Sequence, residues 1–389
     1  WPLYRAAAIA LNVNSEPSPE VDGRFVNPKW VGDQGWVEYA QWIALHTETL
    51  ALIREGASKE GMGYIVGYQI AEEDKELFPE EYEESKRSPE NLFIGMWFPQ
   101  LGPSRYMARL LKYDAIAAAE EGDSERCFQD IEAMIHVGTQ TREHSTLIND
   151  LVAMSIYNLA FQTLGTILEH TPEVLELKNV HRMLFGMDDE FDVRFEGERM
   201  FILDLLQRTF TDDGHGDGDL VPGKLIEMVK ALAQTTTPDS TVLLAPIADF
   251  FVASRKEFLD HYDGYLALME QYRDVQLYEW DDAVLAYEIK ISDAKIETYL
   301  NKYFLIDMLM PVLDRAMLIG KYTRARRDGL LATLHAMEAH RSTGQWPTDL
   351  FGADVIDPWS GESWLIAIIG QQPVIYSVGC DGDNDGGTY

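Results

Sequence analysis

The residues with the clearest capacity for chemistry form an acidic loop near the end of the printed sequence. Asp381, Asp383 and Asp385 occupy every second position, and Gly386 follows the last of them. Alternate carboxylates on a tight turn can converge on one hard cation, and glycine permits the backbone angles that such a turn needs. The D-x-D-x-D-G pattern is that of a calcium loop. We therefore predict a calcium site here, with Asp357 from an upstream turn as a further ligand.

This loop differs from an EF-hand. An EF-hand places a bidentate glutamate at the twelfth position of its loop, and that position would fall after Tyr389. Backbone carbonyls, water or other carboxylates would have to complete the coordination. The alternative interpretation of the same residues is an acidic tail without a bound ion.

A second acidic, glycine-rich loop follows a predicted helix in the middle of the chain. Asp213, Asp217 and Asp219 alternate there with glycines and could bind a cation. The negative end of a helix dipole tolerates a cation, so the position after a helix permits such a site. The same composition also suits a plain connection between two helices.

A metal-dependent hydrolase is the enzymatic alternative. His136 and His144 are eight residues apart and could share one helix face with Glu132 and Glu143. The sequence contains no H-E-x-x-H, G-x-S-x-G, P-loop or G-x-G-x-x-G pattern, so nothing in it places a nucleophile or a phosphate. Histidines of a helical protein usually have structural roles, and that is the competing interpretation.

The amino-acid composition limits the kinds of molecule that this protein is expected to bind. The chain carries 65 acidic and 32 basic residues, a formal net charge of −33. A surface of this sign repels nucleic acid and anionic membranes and attracts divalent cations. The basic cluster of Lys321, Arg324, Arg326 and Arg327 is expected either to pair with nearby carboxylates or to dock an acidic partner.

Cysteine usage and hydropathy set further bounds. Cys127 and Cys380 are the two cysteines, and no Cys/His cluster suits zinc. We predict two free thiols, with one disulfide as the alternative. No run of 18 uncharged apolar residues occurs, and the best stretch, 303–320, contains charged residues. A membrane anchor is therefore expected only from a segment that this sequence does not contain.

Hydrophobic periodicity predicts a mainly α-helical protein made of an irregular array of antiparallel hairpins, followed by a small α+β region. Helices are predicted at 104–121, 125–143 and 145–169, with Asp123 or Ser124 as an N-cap. Other predicted helices span 3–11, 36–54, 172–184, 190–210, 221–234, 243–273 and 280–341, the last bent near Pro311. Strands at 364–369 and 374–378 form a predicted β-hairpin. We place domain boundaries at 1–102, 103–320 and 321–389.

The C-terminal sixth of the chain resembles the periplasmic part of type II secretion major pseudopilins. The resemblance lies in three motifs: Gly344-Gln345-Trp346-Pro347, Asp357-Pro358-Trp359-Ser360-Gly361 and Ser377-Val378-Gly379-Cys380-Asp381-Gly382. It implies a long helix that leads into a small sheet and a calcium-associated loop. Pseudopilins carry this helix at their N-terminus, whereas here it follows some 300 residues of helical sequence.

The helical part resembles a group of large exported bacterial proteins of unknown function. The matching stretches are 106–111, 121–123, 142–148, 207–214 and 324–329. The small residues around the turn at Gly122 also resemble a tetratricopeptide hairpin, although no 34-residue period recurs. The resemblance to the exported bacterial proteins implies that this protein is exported, to the periplasm, the cell surface or the outside of the cell.

These observations favour a non-enzymatic, calcium-stabilised scaffold of the cell envelope or extracellular space. Its expected partners are proteins, including a second copy of the same chain. The alternatives are the metal-dependent hydrolase and a secretion-system accessory that docks on a pseudopilus. The accessory would need an exposed sheet edge along 364–369.

Overall fold

A computed structural model provides the structure of this protein. It describes residues 1–13, 19–21, 24–86, 93, 96–211, 218–219, 221, 223–224, 255–273, 304–353, 355–370, 372–379 and 382–388. All structural statements below concern these residues. The predicted helix at 221–234 and the first part of the one at 280–341 lie largely outside them.

The chain is mainly helical, with a two-stranded antiparallel sheet near its C-terminus. The helices are α1 (Pro2–Ala10), α2 (Trp36–Leu45), α3 (Thr47–Ala57), α4 (Pro79–Ser85), α5 (Leu101–Glu121), α6 (Ser124–Thr141), α7 (Leu147–His170), α8 (Leu177–Phe185), α9 (Glu196–Thr209), α10 (Arg255–Arg273) and α11 (Phe304–Thr343). Strands β1 (Glu20–Val21) and β2 (Arg24–Phe25) form a short hairpin, and β3 (Leu365–Ile369) and β4 (Gln372–Tyr376) form the C-terminal one.

The predicted C-terminal hairpin is confirmed. Strand β3 pairs with β4 in an antiparallel register that runs from Leu365↔Tyr376 to Ile369↔Gln372. Ile366 and Ile375 are partners in this register, and both pack against a small core that Trp364 forms with residues of α11 and with Leu350. The hairpin is therefore held on the long helix by one apolar face.

The turn between α5 and α6 follows the predicted capping chemistry. Gly122 ends α5 in the left-handed region, with φ of 74°. Asp123 is the N-cap of α6, since its carboxylate accepts the backbone N–H of Arg126 at 3.2 Å. Ala118 and Cys127, on opposite sides of the turn, are fully buried, which brings the two helices close together.

One predicted helix is divided in two. The stretch at 36–54 forms α2 and α3, which separate at His46, where the backbone leaves the helical region (φ −112°, ψ 26°). Both helices bury apolar side chains, among them Tyr39 and Ile53. A continuous 3.6-residue pattern cannot reveal such a bend, because the apolar residues of both helices face the same core.

The chain divides into two compact units. The first comprises Trp1–Asn91, Gly95–Arg194 and Ile319–Tyr389, and its main core lies among α1, α3, α5, α6 and α7. The second comprises Leu92–Ile94 and Phe195–Leu318. In its described part, Arg199 of α9 pairs with Asp263 of α10 at 3.1 Å.

Helix α7 is long and apolar enough to cross a membrane by length and composition. In the folded protein, however, 61% of its most apolar window is buried. Residues such as Tyr157 and Phe161 lie in the main core. A helix that is apolar nearly all round is equally typical of the centre of a large helical core, and that is the position of α7 here.

Close packing of α6 on α7 leads to a first prediction. A Cβ at Gly138 would lie 2.5 Å from the ring of Tyr157, which is fully buried and whose hydroxyl donates to Glu190 at 2.5 Å. Gly138→Ala should therefore lower the free energy of unfolding by about 1–3 kcal/mol, despite the better helix propensity of alanine. Urea denaturation followed by circular dichroism measures the change.

Gly102→Ala is the matched control for that measurement. A Cβ at Gly102 of α5 would meet no atom within 4 Å, so alanine there should leave stability equal or slightly higher. An equal response of the two variants would show that the α6–α7 contact does not need glycine.

Candidate functional site

Asp357 lies at the centre of the C-terminal region and is fully buried. Its carboxylate accepts four hydrogen bonds from the protein. The donors are the backbone N–H of Trp359 (3.1 Å), the hydroxyls of Ser360 (2.9 Å) and Ser377 (2.7 Å) and the backbone N–H of Val378 (3.3 Å). The predicted ligand thus joins the turn after it to the segment that follows β4.

The acidic loop begins directly after that segment. Asp383 and Asp385 are exposed, and Asn384 between them accepts the hydroxyl of Tyr376 at 2.9 Å and the N–H of Gly386 at 3.0 Å. Gly382 and Gly386 adopt φ of 71° and 66°, angles that favour glycine. The described part of the loop is therefore a tight glycine-rich turn in which Asp383 and Asp385 are exposed.

The described residues do not form a complete cation site. Asp381 lies outside them, and within them no group of three or more His, Cys, Asp or Glu side chains could hold a metal ion. Asp357 has its oxygens engaged by protein donors. The calcium assignment remains a prediction that depends on Asp381, Asp383 and Asp385 together.

The second acidic loop is described only at its end. Asp213 and Asp217 lie outside the described residues. Asp219 is exposed, and its main chain exchanges hydrogen bonds of 2.8 Å with Thr211, one to the backbone and one to the hydroxyl. This pairing closes the base of the loop.

Three of the four candidate hydrolase residues, His136, Glu143 and His144, bind backbone atoms of one segment, whereas Glu132 does not. We call residues 57–64, the last residue of α3 and the segment after it, the strap. His136 hydrogen-bonds the carbonyl of Ala57 at 3.1 Å, and His144 hydrogen-bonds that of Tyr64 at 3.1 Å. Glu143 accepts the N–H groups of Met62 and Gly63, the latter at 3.1 Å. These contacts fasten the strap to α6 and to the turn after it.

Gln140 belongs to the same arrangement, although no sequence motif selects it. Its side-chain amide donates to three carbonyls at the end of α3 and in the strap, and its oxygen accepts the hydroxyl of Tyr4 at 2.5 Å. Together with the histidines it binds carbonyl groups at the C-terminal end of α3 and just after it, where the last carbonyls of a helix have no intrahelical partner.

Two buried charge clusters were also missed by sequence reasoning. In the first, fully buried Asp150 accepts Arg142 Nε at 3.0 Å and Arg194 Nη2 at 2.6 Å, and Arg142 also reaches Glu190 at 3.2 Å. Arg142 and Asp150 are eight residues apart, but Glu190 lies 48 residues from Arg142 and Arg194 lies 44 from Asp150, so no local pattern could reveal the whole cluster. The cluster ties the chain after α8 to α6 and α7.

The second cluster pairs two carboxyl groups around one arginine. Arg54 contacts Asp114 of α5 and Asp130 of α6, the latter through Nε at 2.7 Å. Asp130 is fully buried, and its Oδ2 has no hydrogen-bond partner in the described structure. Burial, followed by the charge of Asp114, raises the pKa of Asp130 to about 8. Asp130 is therefore expected to be largely protonated at neutral pH.

The basic cluster on α11 is engaged locally. Arg324 pairs with Asp192 at 2.9 Å, and Arg327 contacts neighbouring Asp328 at 2.6 Å. Arg326 donates to the side-chain oxygen of Asn158 at 2.5 Å. Of the two interpretations given above, this geometry favours pairing within the chain.

Cys127 is a buried free thiol, and burial raises its pKa to about 12. A thiol with so high a pKa is a poor nucleophile. Cys380 lies outside the described residues.

Comparison with models of protein families, with curated proteins and with solved structures found no match for this chain. Any functional conclusion must therefore be argued from the side chains themselves.

Proposed function

We propose that this protein is a non-enzymatic structural or interaction scaffold, stabilised by calcium and able to assemble with itself. The observation that carries the proposal is the use of the reactive side chains. His136, His144 and Glu143 bind backbone atoms of the strap, and Asp150 is enclosed by arginines. Side chains used in this way stabilise the fold, and among the described residues no group of three or more His, Cys, Asp or Glu side chains is placed to hold a metal ion.

The exported setting and the pseudopilin-like C-terminus belong to the same proposal. The order of elements supports this part of the proposal. Helix α11 is followed by the turn at Asp357, the β3–β4 hairpin and the glycine-rich loop, the same order that the resemblance to pseudopilins implies. The close α5–α6 hairpin supports the tetratricopeptide-like part. We place the protein in the periplasm, at the cell surface or outside the cell, where calcium is plentiful enough for a weak loop site.

The structure bears differently on the two alternative functions, the metal-dependent hydrolase and the accessory that docks on a pseudopilus. The hydrolase alternative is weakened by the strap contacts described above. The pseudopilus-docking alternative gains one observation, because among the described residues β3 pairs with β4 alone and keeps a second edge. Main-chain groups on such an edge can pair with a strand from another protein.

Calcium-dependent assembly tests the proposal. Light scattering on a size-exclusion column should give a higher mass with millimolar-range calcium than with a chelator. The double variant Asp383→Asn/Asp385→Asn should lose most of that increase, because the loop would retain one of its three alternating carboxylates.

Glu76→Gln/Glu80→Gln is the matched control, since both residues are exposed and the change in net charge is the same. It should behave as the unmodified protein. A mass that is equal with calcium and with chelator would rule out calcium-driven self-assembly and leave a monomeric binding protein.

A further inference from the structure

Lys112 of α5 is a buried lysine that lacks a counter-charge in the described structure. The residue is 8% exposed, and its amine donates to the side-chain oxygen of Asn27 at 2.9 Å. Its other polar contact is with the ring of Tyr113, whose centroid lies 4.8 Å from Nζ. No carboxylate among the described residues pairs with it, although the chain carries 65 acidic residues. A buried ammonium with one neutral acceptor for its three donors is costly, so this site favours the neutral amine.

The acid–base chemistry of Lys112 agrees with its surroundings. Burial, followed by the charge of Arg109, lowers the pKa of Lys112 to about 8. About a tenth of the amine is then neutral at pH 7, roughly 200 times the fraction for an exposed lysine. A neutral amine is a nucleophile, and buried lysines serve in covalent chemistry for this reason. The group that this nitrogen contacts is the side-chain amide of Asn27.

Asn27 is exposed, but its main chain is held from both sides. It lies in the segment after β2, where the carbonyl of Val26 accepts the hydroxyl of Tyr39 at 2.9 Å and Pro28 is buried. The last side-chain torsion of an asparagine has broad preferences. The backbone of Asn27 is therefore fixed beside α5, while its amide can turn its carbon toward the lysine nitrogen.

A second donor polarises the same amide. The hydroxyl of Tyr113 donates to the side-chain oxygen of Asn27 at 2.8 Å. Tyr113 is 1% exposed, and burial raises the pKa of its hydroxyl, so the group keeps its proton and remains a donor. A donor on a carbonyl oxygen stabilises the negative charge that develops there when a nucleophile adds to the carbon. Amine, amide and donor are thus held together in the arrangement that transfer of an acyl group to an amine uses.

We propose that Lys112 and Asn27 become joined by an isopeptide bond between their side chains. In this step Nζ of Lys112 forms a bond to Cγ of Asn27, and the bond between Cγ and Nδ2 breaks. The electron pair of the broken bond leaves with Nδ2, which takes up the proton that Nζ loses, and ammonia departs. Because Asn27 is exposed, the ammonia can diffuse into solvent. The reaction consumes no oxidant, metal or other co-reactant.

The bond would close a covalent loop without using cysteine. It joins positions that are 85 residues apart and ties the segment after β2 to α5. A cross-link of this kind restricts the unfolded chain as a disulfide does. The inference goes beyond the proposed scaffold function and depends neither on it nor on calcium.

The intact mass of the full chain tests this inference. After prolonged incubation of the folded protein, the measured mass should be lower than the mass calculated from the sequence by one ammonia. The variant Asn27→Ala should keep its full calculated mass, because alanine offers no side-chain carbonyl. Circular dichroism should show that this variant is folded, as expected for an exposed residue. Lys112→Arg removes the nucleophile and should keep its full mass as well.

Peptide mapping then locates the bond. A proteolytic digest of the unmodified chain should contain one branched peptide that joins Asn27 to Lys112. Asparagine can also lose ammonia by closing on the main-chain N–H of the next residue. Pro28 has no such N–H, so this competing reaction is blocked at Asn27.

Lys256→Arg is the matched control, since Lys256 is exposed on α10 and pairs with Asp260 at 2.6 Å. It should lose ammonia as the unmodified chain does. A full calculated mass for the incubated, unmodified chain would overturn the inference and leave the contact between Lys112 and Asn27 as a hydrogen bond. An ammonia loss that persists in Asn27→Ala or in Lys112→Arg would also overturn it, because the reaction would then lie elsewhere in the chain.

Discussion

Replacing Asp150 by alanine is expected to destabilise the protein by about 3–5 kcal/mol. The carboxylate is fully buried and holds Arg142 and Arg194 at 3.0 and 2.6 Å. Its removal leaves the buried guanidinium of Arg142 without its main partner, and a buried charge without a counter-charge is costly. Glu190, at 3.2 Å, still contacts Arg142, so the lower part of this range is the more realistic.

Urea denaturation of the full chain measures this effect. Asp260→Ala is the matched control, because Asp260 pairs with Lys256 at 2.6 Å while both side chains are 65% exposed. Exposed pairs contribute little, so the midpoint of that variant should hardly move. If Asp150→Ala and Asp260→Ala shift the midpoint equally, the buried cluster does not hold the chain after α8 in place.

The second large effect concerns pH. Asp130 has its pKa raised to about 8 in the folded protein, chiefly by burial, whereas an aspartate in the unfolded chain titrates near 4. Between these values the folded state keeps a proton that the unfolded state has lost. Asp130 therefore contributes stability that is fully present below about pH 4 and is lost as pH rises toward about 8.

Asp130→Asn should remove this part of the pH dependence. Asparagine has no proton to lose, and its amide can donate to the neighbouring Asp114 as the protonated acid would. The variant should therefore match the unmodified protein near pH 4 and exceed it near pH 8, by an amount on the order of 2–4 kcal/mol. Denaturation midpoints measured at several pH values provide the test.

Charged groups from three helices surround Asp130, and the control variant must lie away from them. Arg54 faces it from α3, Asp114 from α5, and Arg126 lies one turn away on α6. Asp260→Asn, at an exposed position of α10, should follow the pH profile of the unmodified protein. If Asp130→Asn also follows that profile, Asp130 is ionised in the folded state, and the interpretation that burial keeps it protonated is wrong.

Several local features could be predicted because their causes are local. The Asp123 cap needs only a short acceptor three residues before Arg126, and Gly122 needs only freedom at positive φ. The β3–β4 hairpin follows from two short runs rich in apolar and β-branched residues on either side of a glycine turn. In each case the residues that cause the structure lie within a few positions of one another.

The bend at His46 and the roles of the histidines could not be predicted in this way. His136 and His144 look equally suited to a metal and to a backbone carbonyl until the strap is placed beside them. Asp357, predicted as a calcium ligand, accepts the hydroxyl of Ser377 at 2.7 Å, twenty residues later. The partners of these side chains come from other segments, and the sequence does not state which segments will meet.

The sequence by itself determined the helical class, the C-terminal hairpin and the strong negative charge, since periodicity, turn chemistry and composition are properties of neighbouring residues or of their sum. The tertiary structure alone decided which charges are buried together and which histidines hydrogen-bond the backbone of another segment. Burial and long-range pairing set the energy of a charge far more strongly than its identity does. Those quantities exist only once distant segments have packed against one another.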